Sequence, residues 1–335
     1  MEKEKVVIVT DAWFPQVNGV YTTLKNVVKE LKETCDVMVI HPGMFYGIKV
    51  PFYKEIKMAL PFGFSKMMKD YNPDYIHIAT EGPLGFAAKL YCKTHGLRHN
   101  TSFHTNFPML LQKYMRLSTR ITWWGLRHFH WDSKRILVTN EDMKQELISK
   151  GFRNEIVVWN RGIDHTLFNI ENREENDEPV LLCVSRVSKE KNLELFCELS
   201  DNYECILVGG GPYQKKLMKK YPNVTFVGNV NNYELPQWYK KADVFFFPSK
   251  FDTFGIVMLE SMACGTPVVG FNVIGPKSLI NKYNGVLIEK YDEIYDAIDK
   301  CLCLDKRKVS ESVKKYTWEH VAKVFKDNLI LVKEK

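Results

Sequence analysis

The chain has 335 residues, enough for two domains of ordinary size, and 45% of them are hydrophobic while 26% are charged. This composition excludes general disorder and indicates that each domain buries its own core. The net charge of +7 comes from the part up to His165, where 23 basic residues oppose 16 acidic ones, against 24 of each afterwards. The asymmetry favours an anionic partner for the first half, with a merely solvated basic surface as the alternative.

The beginning of the chain and its cysteines indicate a reducing compartment. The apolar run at residues 6–10 is far shorter than a signal-peptide core or a membrane span, so we expect a cytoplasmic protein. The eight cysteines lie mostly inside apolar runs and lack paired spacing. This predicts reduced core thiols, with neither disulfides nor a zinc site.

Short β-branched runs alternate with helix-like stretches along the first half. Strands are predicted at 6–10, 36–40, 75–80, 100–105, 135–140 and 155–160, and helices at 20–32, 84–95 and 141–150. Continuous apolar strands separated by helices imply a parallel sheet that is covered on both faces. The polar stretch at 169–179 then predicts an interdomain linker.

The alternation restarts after this stretch. Strands are predicted at 179–186, 204–210, 224–229, 243–249, 267–271 and 285–289. We therefore predict an α/β protein of two Rossmann-like, doubly wound parallel-sheet domains, at 1–168 and 180–315. Ligands of such sheets bind at the carboxyl ends of the strands, so the informative residues should directly follow these runs.

The strongest local pattern follows the strand at 243–249. It reads D-T-F-G-I-V-M-L-E and runs from Asp252 to Glu260. Two turns of helix would bring both carboxylates to the same side, and a helix N-terminus suits a diphosphate or sugar oxygens. The backbone N–H groups expected there belong to Thr253, Phe254, Gly255 and Ile256. A capping aspartate with a solvent-facing glutamate is the alternative.

This segment resembles the E-x7-E signature of the retaining glycosyltransferases of family 4, the glycosyl transferases group 1, with Asp252 in place of the first glutamate. The resemblance implies a GT-B fold, in which two domains face a central cleft and a terminal helix, here 316–335, crosses back to the first. It implies that Asp252 binds hydroxyls of the donor sugar and that Glu260 accepts hydrogen bonds from the ribose. Asp252 retracts its carboxylate by one methylene, which would alter sugar preference without abolishing activity.

A second segment, S-R-V-S-K-E-K-N at 185–192, resembles the G-R-x-x-x-x-K-N pattern of the same family. The resemblance implies that Arg186 and Lys191 grip the donor diphosphate. Two fixed cations can neutralise the charge on a departing nucleotide diphosphate, the task of a divalent ion in metal-dependent transferases. No D-x-D motif occurs at a suitable strand end, so we expect no catalytic metal, and no cofactor besides the donor substrate.

Two glycine-containing strand ends complete the second half. L-V-G-G-G-P at 207–212 is neither a dinucleotide fingerprint nor a P-loop, and its glycines are expected to allow close backbone packing. F-V-G-N-V at 226–230 ends the next strand, and the resemblance places Val230 near the base of the nucleotide.

The first half resembles the mannosyl- and sulfoquinovosyltransferase branch of the family. In T-D-A-W-F-P-Q-V-N-G-V at 10–20, Asn18 and Gly19 begin a helix, and glycine would let the backbone approach the donor. A plain turn glycine is the alternative.

Two further segments, at 77–85 and 101–108, resemble the same branch. His104 stands at a strand end, and the resemblance implies contact with the donor sugar near the reacting carbon. A satisfied core histidine is the alternative. Glu81 is assigned to acceptor binding in the same way.

These residues together predict a metal-independent, retaining hexosyltransferase. Mannose from GDP-mannose is the first choice of donor, and a glucosyl or sulfoquinovosyl UDP-sugar is the alternative. The acceptor is expected to be a hydroxyl of a lipid or a glycan. A catalytically silent transferase-like subunit and a nucleic-acid-binding protein are the interpretations from other classes, but no RRM, KH or helix-turn-helix pattern occurs, so no nucleic acid is expected.

The segments at 54–70 and 114–135 interleave cations with aromatic and aliphatic residues. This predicts peripheral association with an anionic membrane surface, on the cytoplasmic face. The alternative places the tryptophans in the core and leaves the cations merely solvated.

Overall fold

The structure is a computed structural model that describes residues 3–16, 18–50, 53–104, 108, 112, 118–173 and 175–333. Within the predicted segments at 10–20, 101–108, 114–135 and 169–179, positions 17, 105–107, 114–117 and 174 lie outside the described residues. The chain divides into two compact units, one of residues 1–162 with 318–335 and the other of residues 163–317. Each unit has its own six-stranded sheet and its own core.

The sheet of the first unit is parallel throughout and has the order β2-β1-β5-β6-β7-β8. Its central strands are buried because both faces are covered, as the apolar runs predict. The strands are β1 (Glu4–Val9), β2 (Cys35–Ile40), β3 (Gly47–Val50), β4 (Tyr53–Ala59), β5 (Tyr75–Ile78), β6 (Asn100–Phe103), β7 (Arg135–Val138) and β8 (Glu155–Val158). The antiparallel pair β3–β4 lies outside this sheet and was not predicted.

Helices connect these strands, and the terminal helix packs within the same unit. Trp159 donates from Nε1 to the carbonyl oxygen of Val321 at 3.0 Å, and Asn100 donates from Nδ2 to that of Asn328 at 2.6 Å. The helices of this unit are Gly19–Leu31, Phe64–Tyr71, Pro83–His95, Thr119–His130, Glu141–Ser149 and Trp318–Asp327.

The second unit repeats the plan with the order β11-β10-β9-β12-β13-β14, again parallel. Its strands are β9 (Val180–Val184), β10 (Glu204–Val208), β11 (Thr225–Gly228), β12 (Val244–Phe247), β13 (Val268–Phe271) and β14 (Gly285–Ile288). Its α-helices are Glu194–Cys197, Gln214–Lys220, Leu235–Lys241, Ile256–Ala263, Ile274–Lys277, Ile294–Leu302 and Lys306–Glu311.

The strand orders fix where ligands are expected. In the second sheet the order reverses between β9 and β12, so the loops that follow these two strands lie side by side at the carboxyl edge. In the first sheet the reversal falls between β1 and β5. Both loops of each pair carry residues that the sequence analysis singled out.

The division between the units differs from the predicted boundaries. Residues 163–168 were placed in the first domain, but Ile163 donates its N–H to the carbonyl oxygen of Tyr316 at 3.1 Å, and both Ile163 and Phe168 belong to the core of the second unit. The polar stretch at 169–179 is also held there, because Arg173 donates to Thr266 Oγ1 at 2.7 Å. Its polarity therefore reflects buried hydrogen bonding as well as exposure.

Two further expectations concern the thiols and the membrane. All eight cysteines are free, as predicted, but Cys303 is exposed and is therefore not a core thiol. Burial raises the pKa of Cys92 to about 12. Over the described part of the chain, every helix is too short or too polar to reach across a bilayer.

Candidate active site

His104 is a neutral histidine with a defined tautomer. It follows β6 and is buried, and its Nδ1 accepts a hydrogen bond from Arg161 Nη2 at 2.8 Å. Burial, then the charge of Arg161 and the nearby His77, hold the pKa of His104 well below its ordinary value. The ring therefore carries its single proton on Nε2, where it can act as a hydrogen-bond donor.

Arg161 is a site residue that the sequence analysis missed. It follows β8, is buried, and donates to the carbonyl oxygens of Trp159 at 2.7 Å and Asn160 at 3.2 Å. Its guanidinium lies 4.9 Å from the centroid of the Trp159 ring. Burial lowers the pKa of Arg161 to about 9, so the group is still charged at neutral pH. The sequence signal that could have identified Arg161 is a charged residue shortly after an apolar strand.

Asn18 and Gly19 begin the first helix, as predicted. Asn18 is the N-cap, and its side chain accepts a hydrogen bond from the backbone N–H of Tyr21 at 3.0 Å. Gly19 is exposed, and a Cβ added there would meet nothing within 4 Å. The packing of this unit therefore does not require glycine at position 19.

Asp11 joins the two loops at the reversal of the first sheet. Its backbone N–H donates to Thr80 Oγ1 at 2.7 Å, and its carboxylate accepts from the N–H groups of Leu84 at 2.9 Å and Gly85 at 3.3 Å. A Cβ on Gly82 would lie 2.3 Å from Asp11 Cγ. The carboxylate thus occupies the N-terminus of the helix Pro83–His95. Although these hydrogen bonds oppose it, burial raises the pKa of Asp11 above its ordinary value.

Replacing Asp11 by alanine is expected to destabilise the protein by about 2 kcal/mol, because the N–H groups of Leu84 and Gly85 lose their acceptor in a partly buried place. Denaturant unfolding measures the loss. Asp305→Ala is the matched control, since Asp305 caps an exposed helix through Arg307 N at 2.9 Å and should cost about half as much. Equal losses for both variants would contradict this role of Asp11.

Glu81 is held by a buried histidine. His130 Nε2 lies 3.3 Å from Glu81 Oε1, and His130 Nδ1 lies 2.8 Å from Thr101 Oγ1. Thr101 donates in turn to Ser133 Oγ at 3.1 Å, so it accepts from His130. The sequence analysis proposed Glu81 but missed His130, which is 49 positions away and gave no local signal.

In the second unit, Arg186 lies in the loop after β9. Its Nη2 donates to Glu190 Oε1 at 2.7 Å, and the same oxygen accepts from Ser188 Oγ at 2.5 Å. Burial would raise the pKa of Glu190, but the hydrogen bonds from Ser188 and Arg186 outweigh it and lower that pKa. Glu190 thus positions the guanidinium within its own loop.

Lys191 and Asp252 meet across the reversal of the second sheet. Lys191 Nζ lies 2.7 Å from each carboxylate oxygen of Asp252, one residue coming from the loop after β9 and the other from the loop after β12. Burial would raise the pKa of Asp252, but the facing Lys191 ammonium outweighs this and lowers it. The residue predicted to grip the diphosphate and the one predicted to bind the sugar are therefore neighbours.

The predicted N-terminus of a helix is present, but it lies four positions after Asp252. The helix Ile256–Ala263 begins after Gly255, which has a φ of 86° that favours glycine. Thr253 and Phe254 are buried, and the Phe254 side chain belongs to the core of the unit.

Glu260 is buried and accepts a hydrogen bond from the hydroxyl of Tyr239 at 2.7 Å. Burial raises the pKa of Glu260 to about 7. The expectation that Asp252 and Glu260 share one side of a helix for two turns is wrong, because the helix begins only at Ile256. Asp252 lies in the preceding loop and faces Lys191, and Glu260 faces Tyr239.

The glycine-rich turn after β10 serves backbone packing, as predicted. A Cβ on Gly209 would lie 2.0 Å from the carbonyl oxygen of Ser185, and one on Gly211 would lie 2.3 Å from that of Val187. At both glycines the backbone therefore packs closely against the loop that contains Arg186. Val230, after β11, is half-buried against the core of the unit.

Two Rossmann-like units with cations, carboxylates and a helix N-terminus at the reversal of a sheet define an α/β protein built to bind a nucleotide. Residues 17–167 match the family model described as glycosyltransferase family 4, and residues 166–319 match that of the glycosyl transferases group 1. The chain belongs to this family: it is a glycosyltransferase that acts on nucleotide sugars.

The relatives carry different specificities. The chain is 28% identical to the GDP-mannose-dependent alpha-mannosyltransferase of Corynebacterium glutamicum, with 94% of this chain and 86% of that protein covered. It is also 28% identical to the sulfoquinovosyl transferase SQD2 of Arabidopsis thaliana over 80% of this chain, and it spans 59% of that protein's length.

Sucrose-phosphate synthase of Thermosynechococcus elongatus shares the fold. The TM-score is 0.80 at 17% identity, and 97% of this chain and 98% of that one are covered. The predicted α/β GT-B fold is confirmed.

Proposed function

We propose that this glycosyltransferase moves mannose from GDP-mannose to a hydroxyl of a lipid or glycan acceptor, with retention of configuration and without a metal. The observation that carries the proposal is the loop pair at the reversal of the second sheet. There Arg186 and Lys191 are held by Glu190 and Asp252, each at 2.7 Å, beside a helix N-terminus. The choice of donor is supported by the likeness to the mannosyltransferase over 94% of the chain.

The residues suggest how the leaving group is stabilised. As the sugar–phosphate bond breaks, negative charge develops on the diphosphate, and two preorganised cations are most valuable there. Lys191 must exchange Asp252 for phosphate oxygens, which leaves the Asp252 carboxylate available for a sugar hydroxyl. Glu260, when ionised, accepts hydrogen bonds from ribose hydroxyls.

Retention follows if the acceptor hydroxyl attacks from the face that the diphosphate leaves, through an oxocarbenium-like transition state. The departing phosphate oxygen then takes the acceptor's proton, so no side chain needs to act as nucleophile. His104 donates from Nε2 to a sugar oxygen near the reacting carbon. The anomeric configuration of the product, measured by NMR, tests this step, and an inverted product would contradict it.

A thermal-shift screen against GDP, UDP, ADP and their common sugar conjugates tests the donor. We expect GDP-mannose and GDP to raise the melting temperature equally with and without a chelator. A shift for UDP-sugars alone would favour a glucosyl or sulfoquinovosyl donor, which the likeness to SQD2 supports. The absence of any shift would favour a catalytically silent subunit, or the nucleic-acid-binding alternative.

Gly19→Ala is expected to weaken donor binding at least tenfold while leaving the melting temperature unchanged or slightly higher. A methyl group at position 19 meets no protein atom within 4 Å, but it would meet a ligand that approaches the helix start. Titration with GDP-mannose measures the effect. Gly85→Ala is the contrasting control, because its Cβ would lie 1.9 Å from the carbonyl oxygen of Thr80 and should destabilise the fold instead.

A second surface supports a membrane-bound acceptor. On neighbouring elements of the first unit, large apolar side chains are exposed, with Phe62 at 81%, Trp124 at 63% and Trp131 at 73%. We call the exposed apolar side chains of these elements the basic apolar face; they are Phe62, Phe86, Leu90, Ile121, Trp124 and Trp131. The segment at 114–135 was predicted either to lie on a membrane or to place its tryptophans in the core. Trp124 and Trp131 are exposed, as the first interpretation requires, whereas Trp123 is buried, as the second requires.

Contacts between helices hold this face together. Lys89 donates from Nζ to the carbonyl oxygen of His128 at 2.6 Å, which joins the helices Pro83–His95 and Thr119–His130. Neither helix contains an acidic residue, and Lys93 and Arg120 are exposed on them. Apolar side chains flanked by cations match an anionic bilayer surface.

Vesicle flotation tests the basic apolar face. The protein should float with phosphatidylglycerol-containing vesicles and not with phosphatidylcholine alone. The double variant Trp124→Ser with Trp131→Ser should lose this binding, whereas Tyr233→Ser with Tyr283→Ser, which changes exposed tyrosines of the second unit, should keep it. Binding that does not depend on anionic lipid, or that survives the tryptophan variant, would contradict the proposal.

A further inference from the structure

Three aromatic rings meet at the carboxyl edge of the first sheet without being buried. The Trp13 and Tyr21 rings pack edge to face with centroids 5.4 Å apart, and the Trp13 and His41 rings stack with centroids 5.7 Å apart. All three side chains are half-buried, whereas the rings of Phe103, Phe129 and Trp159 lie in the core. The cluster is therefore a platform whose rings keep part of their surface accessible to solvent.

The cluster lies where this fold binds ligands. Trp13 follows β1, His41 follows β2, and Tyr21 is in the first turn of the helix that begins at Gly19. These strands are neighbours in the sheet, and β1 is the strand at which its order reverses.

His41 adds a polar group of fixed direction to this platform. Its Nδ1 accepts a hydrogen bond from the backbone N–H of Gly43 at 3.2 Å. Burial lowers the pKa of His41, so the ring is neutral and carries its proton on Nε2. Apolar ring surface with a few oriented hydrogen-bonding groups is typical of a small-molecule site.

We propose that Trp13, Tyr21 and His41 form the acceptor subsite and that they select an acceptor whose reacting hydroxyl belongs to a pyranose or cyclitol ring. The proposal rests on the proposed transfer to a hydroxyl acceptor and narrows its class. A pyranose or cyclitol has a face of C–H groups that packs on the electron-rich face of an indole. Its rim of hydroxyls can accept a hydrogen bond from His41 Nε2. Glycerol has hydroxyls but no such face.

Saturation-transfer NMR tests this subsite, with the full chain in the presence of enough GDP to fill the nucleotide site. The probes are methyl α-D-mannopyranoside, myo-inositol and glycerol at equal millimolar concentration. Trp13→Leu keeps an apolar side chain but removes the aromatic face. Trp124→Leu is the matched control, because Trp124 also stacks on a histidine, His128, with centroids 5.8 Å apart, but lies on an exposed helix.

We expect both ring probes, and not glycerol, to receive saturation at their C–H groups. Trp13→Leu should bind them about tenfold more weakly, and Trp124→Leu should bind them like the unchanged chain. Glycerol binding as strong as that of the rings, no ring binding by the unchanged chain, or ring binding that survives Trp13→Leu would each overturn the proposal.

Two further measurements keep the outcome clear. Should Trp13→Leu fail to fold, Trp13→Phe keeps a smaller aromatic face and should bind the rings with intermediate strength; unchanged binding would count against the subsite. The thermal shift with nucleotide is recorded for every variant. If the unchanged chain shows no thermal shift with nucleotide, the proposed donor is contradicted. If it shows the shift but does not bind the ring probes, only the acceptor subsite is contradicted.

Discussion

Replacing Lys191 by methionine is expected to lower kcat about a thousandfold, because it removes one of two fixed cations from the place where the leaving diphosphate becomes charged. Methionine keeps the length and the apolar stem of lysine. The stability cost should be small, since the Asp252 carboxylate that loses its partner is partly exposed to water. Steady-state kinetics with the donor identified by the thermal-shift screen measures the effect.

A matched control comes from the same unit. Lys241 pairs with Glu204 at 3.1 Å on an exposed surface, so Lys241→Met should leave kcat unchanged. A Lys191→Met enzyme that kept more than a tenth of the original kcat would contradict the assignment of this cation.

The variant Asp252→Asn distinguishes phosphate binding by Lys191 from sugar binding by Asp252. The variant frees Lys191 from a competing carboxylate, so GDP should bind as tightly as before or more tightly. Transfer should nevertheless fall, because a sugar hydroxyl loses a charged acceptor. Weaker binding of GDP by this variant would mean that Asp252 supports nucleotide binding directly and does not compete for Lys191.

The sheets could be predicted from the sequence because their determinants are local. A buried parallel strand needs a short, continuous apolar run; the run at 6–10 overlaps β1 and the run at 179–186 contains β9. The loops after such strands then follow from topology alone. Arg186, Lys191 and Asp252 lie in such loops, and their roles were assigned from the resemblance to the family's motifs.

The parts of the site that could not be predicted depend on contacts between residues that are distant in sequence. Arg161 and His104 are 57 positions apart, and Tyr239 and Glu260 are 21 apart, so no window of sequence contains both the residue and the reason for its position. The pair β3–β4 was missed for a different reason: it lies outside the βαβ alternation on which the prediction rested.

Lowering the pH from 7.5 to 5 is expected to destabilise the first unit. Burial lowers the pKa of His77 to about 3 and that of His99 to about 4, against an ordinary value of 6.5. Because the folded unit binds these protons less readily than the unfolded chain, its stability is full above pH 6.5 and falls below it. Each of the two histidines should cost about 2 kcal/mol at pH 5.

The second unit should respond in the opposite direction over the same range. Glu260 has a folded pKa of about 7 against an ordinary value of 4.5, so the folded unit binds this proton more tightly than the unfolded chain. The penalty of its buried charge is complete above pH 7 and is relieved as the pH falls, by about 2 kcal/mol at pH 5. Asp252, whose pKa is lowered from 3.8, is not protonated in this window.

Hydrogen exchange resolved by peptide separates the two responses, which a single melting temperature would average. After correction for the pH dependence of the intrinsic exchange rate, acidification should lower the protection of amides in β1, β5 and β6 and raise it in β9 and β12. His77→Gln removes one of the titrating histidines and should flatten the response of the first unit, while Glu260→Gln should abolish that of the second and leave the first unchanged. Parallel changes of protection in both units would contradict the assignment, because protonation of the histidines should destabilise the first unit whereas protonation of Glu260 should stabilise the second.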